Sequence, residues 1–494
     1  MTQPDRSRSV RSPMRHTLLL LASASLLLAG CGGGSNSAPA VTDEDRAAAA
    51  EQHEQLLAEF GGRYEGDESA YLAKLGGKVA AAAGLDGQCT FTLVNTDVVN
   101  AFAVPGCYIY VTRGLMGIVG SEGELASVLA HEVGHIVGQH SKRQQKRSLW
   151  RGLGVLAVQV LTGSERLTRI AGEAATFFTL RYSRSQEYQA DDLGLGFLRR
   201  AGYDPYAASD MLGALARQEQ FLAATRGRDE ARSIPEWART HPLTGNRVER
   251  ARQAAQATGV APDALPEYEE RYLQTLDGLL YGDDPQQGFV LGRRFAHPVM
   301  RIGFEAPPGF TLTNSPQAIL IEGPDGIRGE FGGGRIPEGG LQAYAEVLLR
   351  QLLGDAPFRT GAARAERVNG LAALFVPAAV ATQNGEIPIS IAVYAAPGGN
   401  AYHFAMVSNA PGAAPAVLHP LFRSFHLLTD EDLRSLKPRR IEVIVAGAGD
   451  TVASLAGRMA DPDRLPLFLL LNNRTADQPI RPGEHVKIVS FAQR

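Results

Sequence analysis

The sequence predicts a multidomain α+β protein. A mainly helical domain holding a small β-meander leads into an α+β domain, and a compact strand–helix–helix–strand unit closes the chain. Three observations predict this. At 494 residues the chain exceeds what one hydrophobic core serves, so roughly two to four domains are expected. Helical patterning dominates Thr42 to Tyr281 and is interrupted by alternation only at residues 89–112. From Gly288 onward the texture changes, with frequent Gly and Pro between short β-rich runs.

Composition supports folded domains, with 44% hydrophobic and 20% charged residues. A formal net charge of -3 gives no basic field, so no nucleic-acid partner is expected.

The N-terminus reads as an export signal. Arg6, Arg8, Arg11 and Arg15 precede an apolar run from Thr17 to about Leu28, which ends in Leu28-Ala29-Gly30-Cys31. The run is shorter than the ~20 residues a spanning helix needs. Its last four residues resemble the bacterial lipobox, in which the cysteine is lipidated and begins the mature protein. An ordinary signal with an incidental cysteine is the alternative. Residues 1–31 are thus expected to be removed or lipidated at Cys31, leaving a membrane anchor of buried acyl chains. Gly32 follows the cysteine, and similarity to lipoprotein sorting in enteric bacteria then implies the periplasmic face of the outer membrane. Residues 32–41 are a Gly/Ser-rich tether.

The first domain is expected over residues 42–283. Thr42 to Ala83 is helical in pattern. Thr90–Val94 and Tyr108–Val111 carry β-branched and aromatic residues and read as strands, broken at Asp97 and at the Pro105-Gly106 turn. Cys89 and Cys107 flank these strands and are either bridged or two buried thiols. Ser121 to about Lys142 reads as a helix, with Ser121 and Glu124 spaced as a capping box. Leu149–Leu161 is strongly apolar and reads as a core helix, a lid or a lipid-facing surface. Helical patterning then runs from Glu165 to about Ala224, and charged helical segments continue through Tyr281.

An α+β domain of unassigned role follows over 288–428. Its strands are expected at Met300–Phe304, Ala318–Glu322, Ala372–Val376, Ile387–Tyr394 and Tyr402–Val407, with a helix at Leu341–Leu353. Residues 438–494 form the last unit.

The chemistry centres on His131-Glu132-Val133-Gly134-His135. Residues four apart on a helix stand one above the other, so His131 and His135 can point ring nitrogens at one metal ion. Glu132 lies about 100° round the helix, badly placed to ligate but well placed to take a proton from water. Zinc suits two imidazoles and a carboxylate, and it supplies Lewis acidity to a peptide carbonyl and to water. Leu125, Val128, Leu129, Ile136 and Val137 mark the helix as buried, and buried polar groups need partners. For a third ligand the best candidate is Glu187. Asp191, four residues on, can accept the N–H of a ligand histidine. Taken alone, such a pair also suits a solvated helix face.

Several motifs together resemble the family of HtpX and the CAAX prenyl proteases, nearest its soluble periplasmic members. They are Asn100-Ala101-Phe102-Ala103-Val104-Pro105-Gly106, Tyr108-Ile109-Tyr110-Val111, Glu124 to Glu132, and Ser183-Arg184 with Glu187 and Ala190-Asp191. The motifs fall in order over residues 45–255. One departure is Cys107, where a second glycine is common in the family. The resemblance implies one zinc per chain on His131, His135 and Glu187, Glu132 as general base, and Asp191 behind a ligand histidine. It further implies that Thr240-His241-Pro242 and Asn246-Arg247 lie over the metal. There, His241 or Arg247 stabilises the oxyanion, or His241 caps the zinc in a resting state. Asn100 to Val104 would be an edge strand, with Asn100 and Phe102 placed to bind extended substrate.

The last unit resembles a LysM module through Gly449-Asp450-Thr451, Asn472 and Pro482-Gly483-Glu484, which implies a βααβ fold. It either binds the N-acetylglucosamine of peptidoglycan or merely packs on the first domain. The expected function is zinc-dependent endoproteolysis of periplasmic or outer-membrane proteins. The alternatives are a peptidoglycan-binding scaffold or chaperone, and a peptidase of peptidoglycan cross-links.

Overall fold

The computed structural model describes residues 40–143, 182–225, 236–242, 246–315, 317–354, 356–382, 385–408 and 414–492. The export signal with Cys31, nearly all of the tether, the apolar run Leu149–Leu161 and the helical pattern of 165–181 lie outside them. Residues 40–494 form one compact unit. Among the described residues no helix is long and apolar enough to cross a membrane.

The helical pattern after Thr42 resolves into α1 (Asp43–Glu59) and α2 (Asp67–Ala82). Thr42 caps α1 through a reciprocal box with Asp45. Strands β1 (Thr90–Val94), β2 (Ala101–Val104) and β3 (Tyr108–Thr112) follow. They are not a meander. The order is β1-β3-β2, with β1 and β3 parallel and β2 antiparallel to β3. Residues 95–100 carry the chain past the site of β3, and Asn100 accepts from the Thr112 N–H at 3.0 Å, which holds β2 on the outer side. A Cys89–Cys107 disulfide, Cα atoms 4.6 Å apart, ties the start of β1 to the start of β3.

Helix α3 (Arg113–Ile118) leads into α4 (Glu122–Val137), which bears both motif histidines. Only half of the predicted capping box forms. Ser121 Oγ accepts from the Glu124 N–H at 3.0 Å, but the Glu124 carboxylate accepts from the Gly120 N–H at 2.8 Å instead of that of Ser121. The helix stops at Val137, short of Lys142, because Gln139 takes a left-handed φ of 51°. Almost every residue of α4 is buried, so it is the central rod of the domain.

The later helices are α5 (Arg184–Arg200), α6 (Ala207–Thr225), α7 (Glu236–Thr240), α8 (Asn246–Ala257) and α9 (Glu269–Leu276). This run of helices ends with α9. Leu280–Tyr281, expected to be helical, is instead strand β4. It pairs with Arg439 and Arg440, since edge hydrogen bonding to a distant strand outweighs local pattern.

The middle region comprises β5 (Phe289–Leu291), β6 (Arg294–His297), β7 (Ile302–Glu305), β8 (Thr311–Asn314), β9 (Ile319–Glu322), β10 (Arg328–Arg335), α10 (Gly340–Leu353), β11 (Phe358–Thr360), β12 (Arg364–Val368), β13 (Leu371–Thr382), β14 (Gly385–Ala396), β15 (Asn400–Val407), α11 (Ala414–Ser424) and β16 (His426–Leu427). The expected strands and helix all appear. Gly-rich β10 was not foreseen, because Gly332-Gly333-Gly334 reads as loop. The large sheet runs β11-β13-β14-β15-β10-β9-β8, with β12 also on β13, and is apolar on both faces. Tyr394 and Phe404 face one core with α11, while Ile391, Val393 and Ala405 face another with α10.

After α12 (Asp430–Ser435) the chain ends in β17 (Arg439–Val445), α13 (Val452–Gly457), α14 (Arg464–Leu471) and β18 (His485–Phe491), the expected βααβ order. β17 pairs with β18 on one side and with β4 on the other. Ile441, Leu455, Phe468, Val486 and Ile488 belong to the same apolar cluster as Leu125, Leu129 and Val133 of α4. Buried Lys487 donates from Nζ to the carbonyls of Gly117 at 2.9 Å and Val119 at 2.6 Å. The last unit is therefore joined through a continuous core to the helical region.

Candidate active site

Helix α4 holds His131, Glu132 and His135 in the buried interior. Its neighbour α5 starts at a full capping box of Ser183 and Gln186, which places Glu187 in the first turn with its carboxylate toward α4. The two helices can approach because both are notched. A Cβ on Gly134 would lie 2.8 Å from the Ala190 carbonyl oxygen, and one on Gly194 would lie 3.1 Å from the His131 nitrogen. The glycine inside the motif thus serves helix contact.

His131, His135, Glu187 and His241 bring one ligand atom each within 4.8 Å of one another. His131 Nε2 lies 3.0 Å from His135 Nε2, 3.6 Å from Glu187 Oε2 and 3.3 Å from His241 Nδ1. Glu187 Oε1 lies 3.5 Å from His135 Nε2 and 3.1 Å from His241 Nδ1. Ligand bonds of ~2.1 Å to a tetrahedral zinc give edges of about 3.4 Å between donors. The donor spacings bracket that value, so nitrogen and carboxylate donors and geometry all fit zinc.

Electrostatics favour ligation. Burial, with the neighbouring His131 and His241, holds His135 well below the usual histidine range and hence neutral. Burial alone would raise Glu187, but His241, His131 and Arg247 outweigh it and keep the carboxyl ionised. Asp191 is likewise held low against burial by His131 and Arg247. Glu132 is fully buried, and desolvation pushes its carboxyl up to about 8, His131 opposing and Glu187 adding to the rise. A divalent cation among the donors would shift it back toward the carboxylate that a base requires.

The supporting residues lie one layer out. His131 Nδ1 is 3.0 Å from Asp191 Oδ1. Arg247 donates to both Asp191 oxygens, from Nε at 3.0 Å and Nη2 at 2.7 Å, and its Nη1 lies 2.8 Å from Glu187 Oε2. Its guanidinium therefore braces two carboxylates. His241, just after α7, turns Nδ1 to the donor cluster and leaves Nε2 3.5 Å from Glu132 Oε1. Trp237 stacks on His241 with ring centroids 4.4 Å apart, and Tyr182 stacks on His135 at 3.9 Å. Neither aromatic was singled out in the sequence, since stacking partners leave no spacing signal.

Among the described residues β2 pairs with β3 alone and so forms an edge of its sheet. Ala101 and Ala103 face the α4 core. Phe102 packs on the other face, its ring 4.9 Å from Tyr110 and 4.7 Å from Phe60. Among the described residues the buried Asn100 side-chain amide has no hydrogen-bond partner. An apolar cavity beside His131 is lined by Val128, Leu198, Met211, Leu212, Leu215 and Trp237.

Residues 67–255, which contain this whole constellation, match the model of Peptidase family M48. The chain is similar to a beta-barrel assembly-enhancing protease of Yersinia pestis, 32% identical over 39% of this chain and 40% of the relative. It is also similar to the protein of the same name from Escherichia coli strain K12, 30% identical over 37% of each. A third relative is the mitochondrial metalloendopeptidase OMA1 of Arabidopsis thaliana, 34% identical over 25% of each chain. The match spans about two fifths or less of these relatives' own lengths.

Proposed function

We propose, on the premise that residues 67–255 carry a peptidase domain of family M48, that this chain is a zinc-dependent metalloendopeptidase of the bacterial envelope. The observation that supports it most is the convergence of His131, His135 and Glu187 donors at tetrahedral spacing beside a buried Glu132. Zinc there would polarise the scissile carbonyl and lower the pKa of water. Glu132 takes a proton from the attacking water and returns it to the leaving nitrogen. Asp191 and Arg247 hold the ligands in place. The open edge of β2 offers main-chain hydrogen bonds to an extended substrate, with Asn100 adjoining, which suits tolerance of sequence.

Four protein donors close a tetrahedral site, whereas a catalytic one keeps a position open. His131, His135, Glu187 and His241 would together hold the metal in a resting state, with His241 as its cap. His241 Nε2 lies 3.5 Å from Glu132 Oε1, and with Nδ1 drawn back from the donor cluster His241 would be free to stabilise the oxyanion.

Two relatives are named beta-barrel assembly-enhancing proteases, and the substrates proposed here are periplasmic or outer-membrane proteins. With the signal ending at Cys31, the proposed place is the periplasmic face of the outer membrane, anchored by lipid. The βααβ unit is proposed as LysM-like, with peptidoglycan as its ligand. The test is incubation of zinc-loaded protein with an unfolded outer-membrane protein and, separately, with purified sacculi. Cleavage of the protein alone is expected. Glu132→Gln is expected to keep one zinc per chain and lose about 100-fold or more of the rate. Cleavage by this variant at the wild-type rate would contradict the role of Glu132.

A further inference from the structure

We infer that His140 is a positioning residue that fixes the ring of His135 in the tautomer able to bind metal. The inference rests on the zinc site proposed above. His140 is fully buried and meets His135 nearly edge-on, with Nδ1 2.8 Å from His135 Nδ1. Its other nitrogen, Nε2, lies 3.0 Å from Gln189 Oε1 on α5. Two nitrogens that close must be one donor and one acceptor.

The direction is forced from both ends. His135 turns Nε2 to the donor cluster, so that atom needs its lone pair and Nδ1 must carry the proton. His140 Nδ1 then accepts. Its proton must sit on Nε2, where the Gln189 carbonyl oxygen accepts it. A ligand histidine is ordinarily held by a carboxylate, a carbonyl or water. His131 follows that rule through Asp191, and His135 uses a second imidazole instead.

The local backbone is shaped for this contact. After α4 ends, Gln139 takes a left-handed φ of 51° and turns the chain so that His140 folds back beneath the helix. The ring sits where it does because position 138 is glycine: a Cβ there would lie 2.5 Å from His140 Nε2 and push the ring aside. The Gln186 side chain ties down the His140 carbonyl at 3.2 Å.

The experiment measures zinc affinity of the full mature chain by chelator competition for wild type, His140→Phe, His140→Asn and Gly138→Ala. Phe fills the space without an acceptor, and Asn restores an oxygen near the place of Nδ1. The expected result is a loss of roughly 10- to 100-fold for Phe and for Gly138→Ala, and recovery of most of that loss by Asn. Nitrogen-15 NMR of the zinc-loaded wild type should show His135 protonated at Nδ1. A Phe variant that binds zinc as tightly as wild type overturns the inference. So does a His135 proton on Nε2, or an Asn variant as weak as Phe when both melt like wild type without metal. Failure of the wild type itself to bind zinc overturns the functional reading, and is thereby distinguished from failure of this one.

Discussion

Three of the four donor residues, His131, His135 and Glu187, are each accompanied by a group that bears on charge or orientation. Asp191 faces His131, His140 faces His135, and Arg247 faces both Glu187 and Asp191. Removing such a support leaves the ligand in place but disorders it. Asp191→Ala should weaken zinc binding by about 10- to 100-fold. It also removes one of the two carboxylates that the buried Arg247 pairs with, leaving Glu187, so the melting temperature should fall, and both effects are read by chelator competition and thermal denaturation. Unchanged zinc affinity would show that Asp191 does not orient His131. At this scale the sequence spoke clearly where geometry is local. His131, Glu132 and His135 follow from helical spacing alone. Glu187 and Asp191 needed the resemblance as well, because a pair of acids four apart also suits a solvated face. His140 stayed hidden, since it reaches His135 through a chain reversal at Gly138-Gln139 that no periodicity announces.

The decisive pairing of elements is α4 against α5, drawn together by Gly134 and Gly194. Gly134→Ala places a methyl 2.8 Å from the Ala190 carbonyl oxygen, so the helices must part. The expected cost is about 1–3 kcal/mol of stability, with a drop in zinc affinity as Glu187 recedes. Denaturant unfolding with and without zinc measures both, and an unchanged midpoint would mean the contact is not limiting. Helices were readable here because amphipathic patterning and caps are local. The sheet was less so. A meander seemed the natural reading of three short strands, yet β1 and β3 pair in parallel, with β2 outside. Alternation identifies a strand but not its partner. Gly-rich β10 failed for a different reason, its side chains carrying no alternation to read.

Across the whole molecule, the last unit is built into the helical region more firmly than a tethered module would be. β4 lends it a third strand, Lys487 reaches the carbonyls of Gly117 and Val119, and Asn473 bridges Arg217 of α6 and Glu124 of α4. Deleting residues 438–494 should expose the apolar face beneath Ile441 and abolish cooperative melting of the remainder. A truncated chain that melts cooperatively and binds one zinc would show the unit to be separable. The sequence revealed the βααβ order but not this union, because a two-residue strand such as β4 is set by its distant partner. Zinc and a displaceable fourth donor, His241, are what the proposed chemistry needs, and zinc-edge X-ray absorption of wild type and His241→Ala reads both. The expected spectra show one zinc with three imidazoles and a carboxylate at about 2.0–2.1 Å, and one imidazole fewer, replaced by water oxygen, in the variant. An identical imidazole count in the two proteins, or no bound zinc in either, would contradict that chemistry.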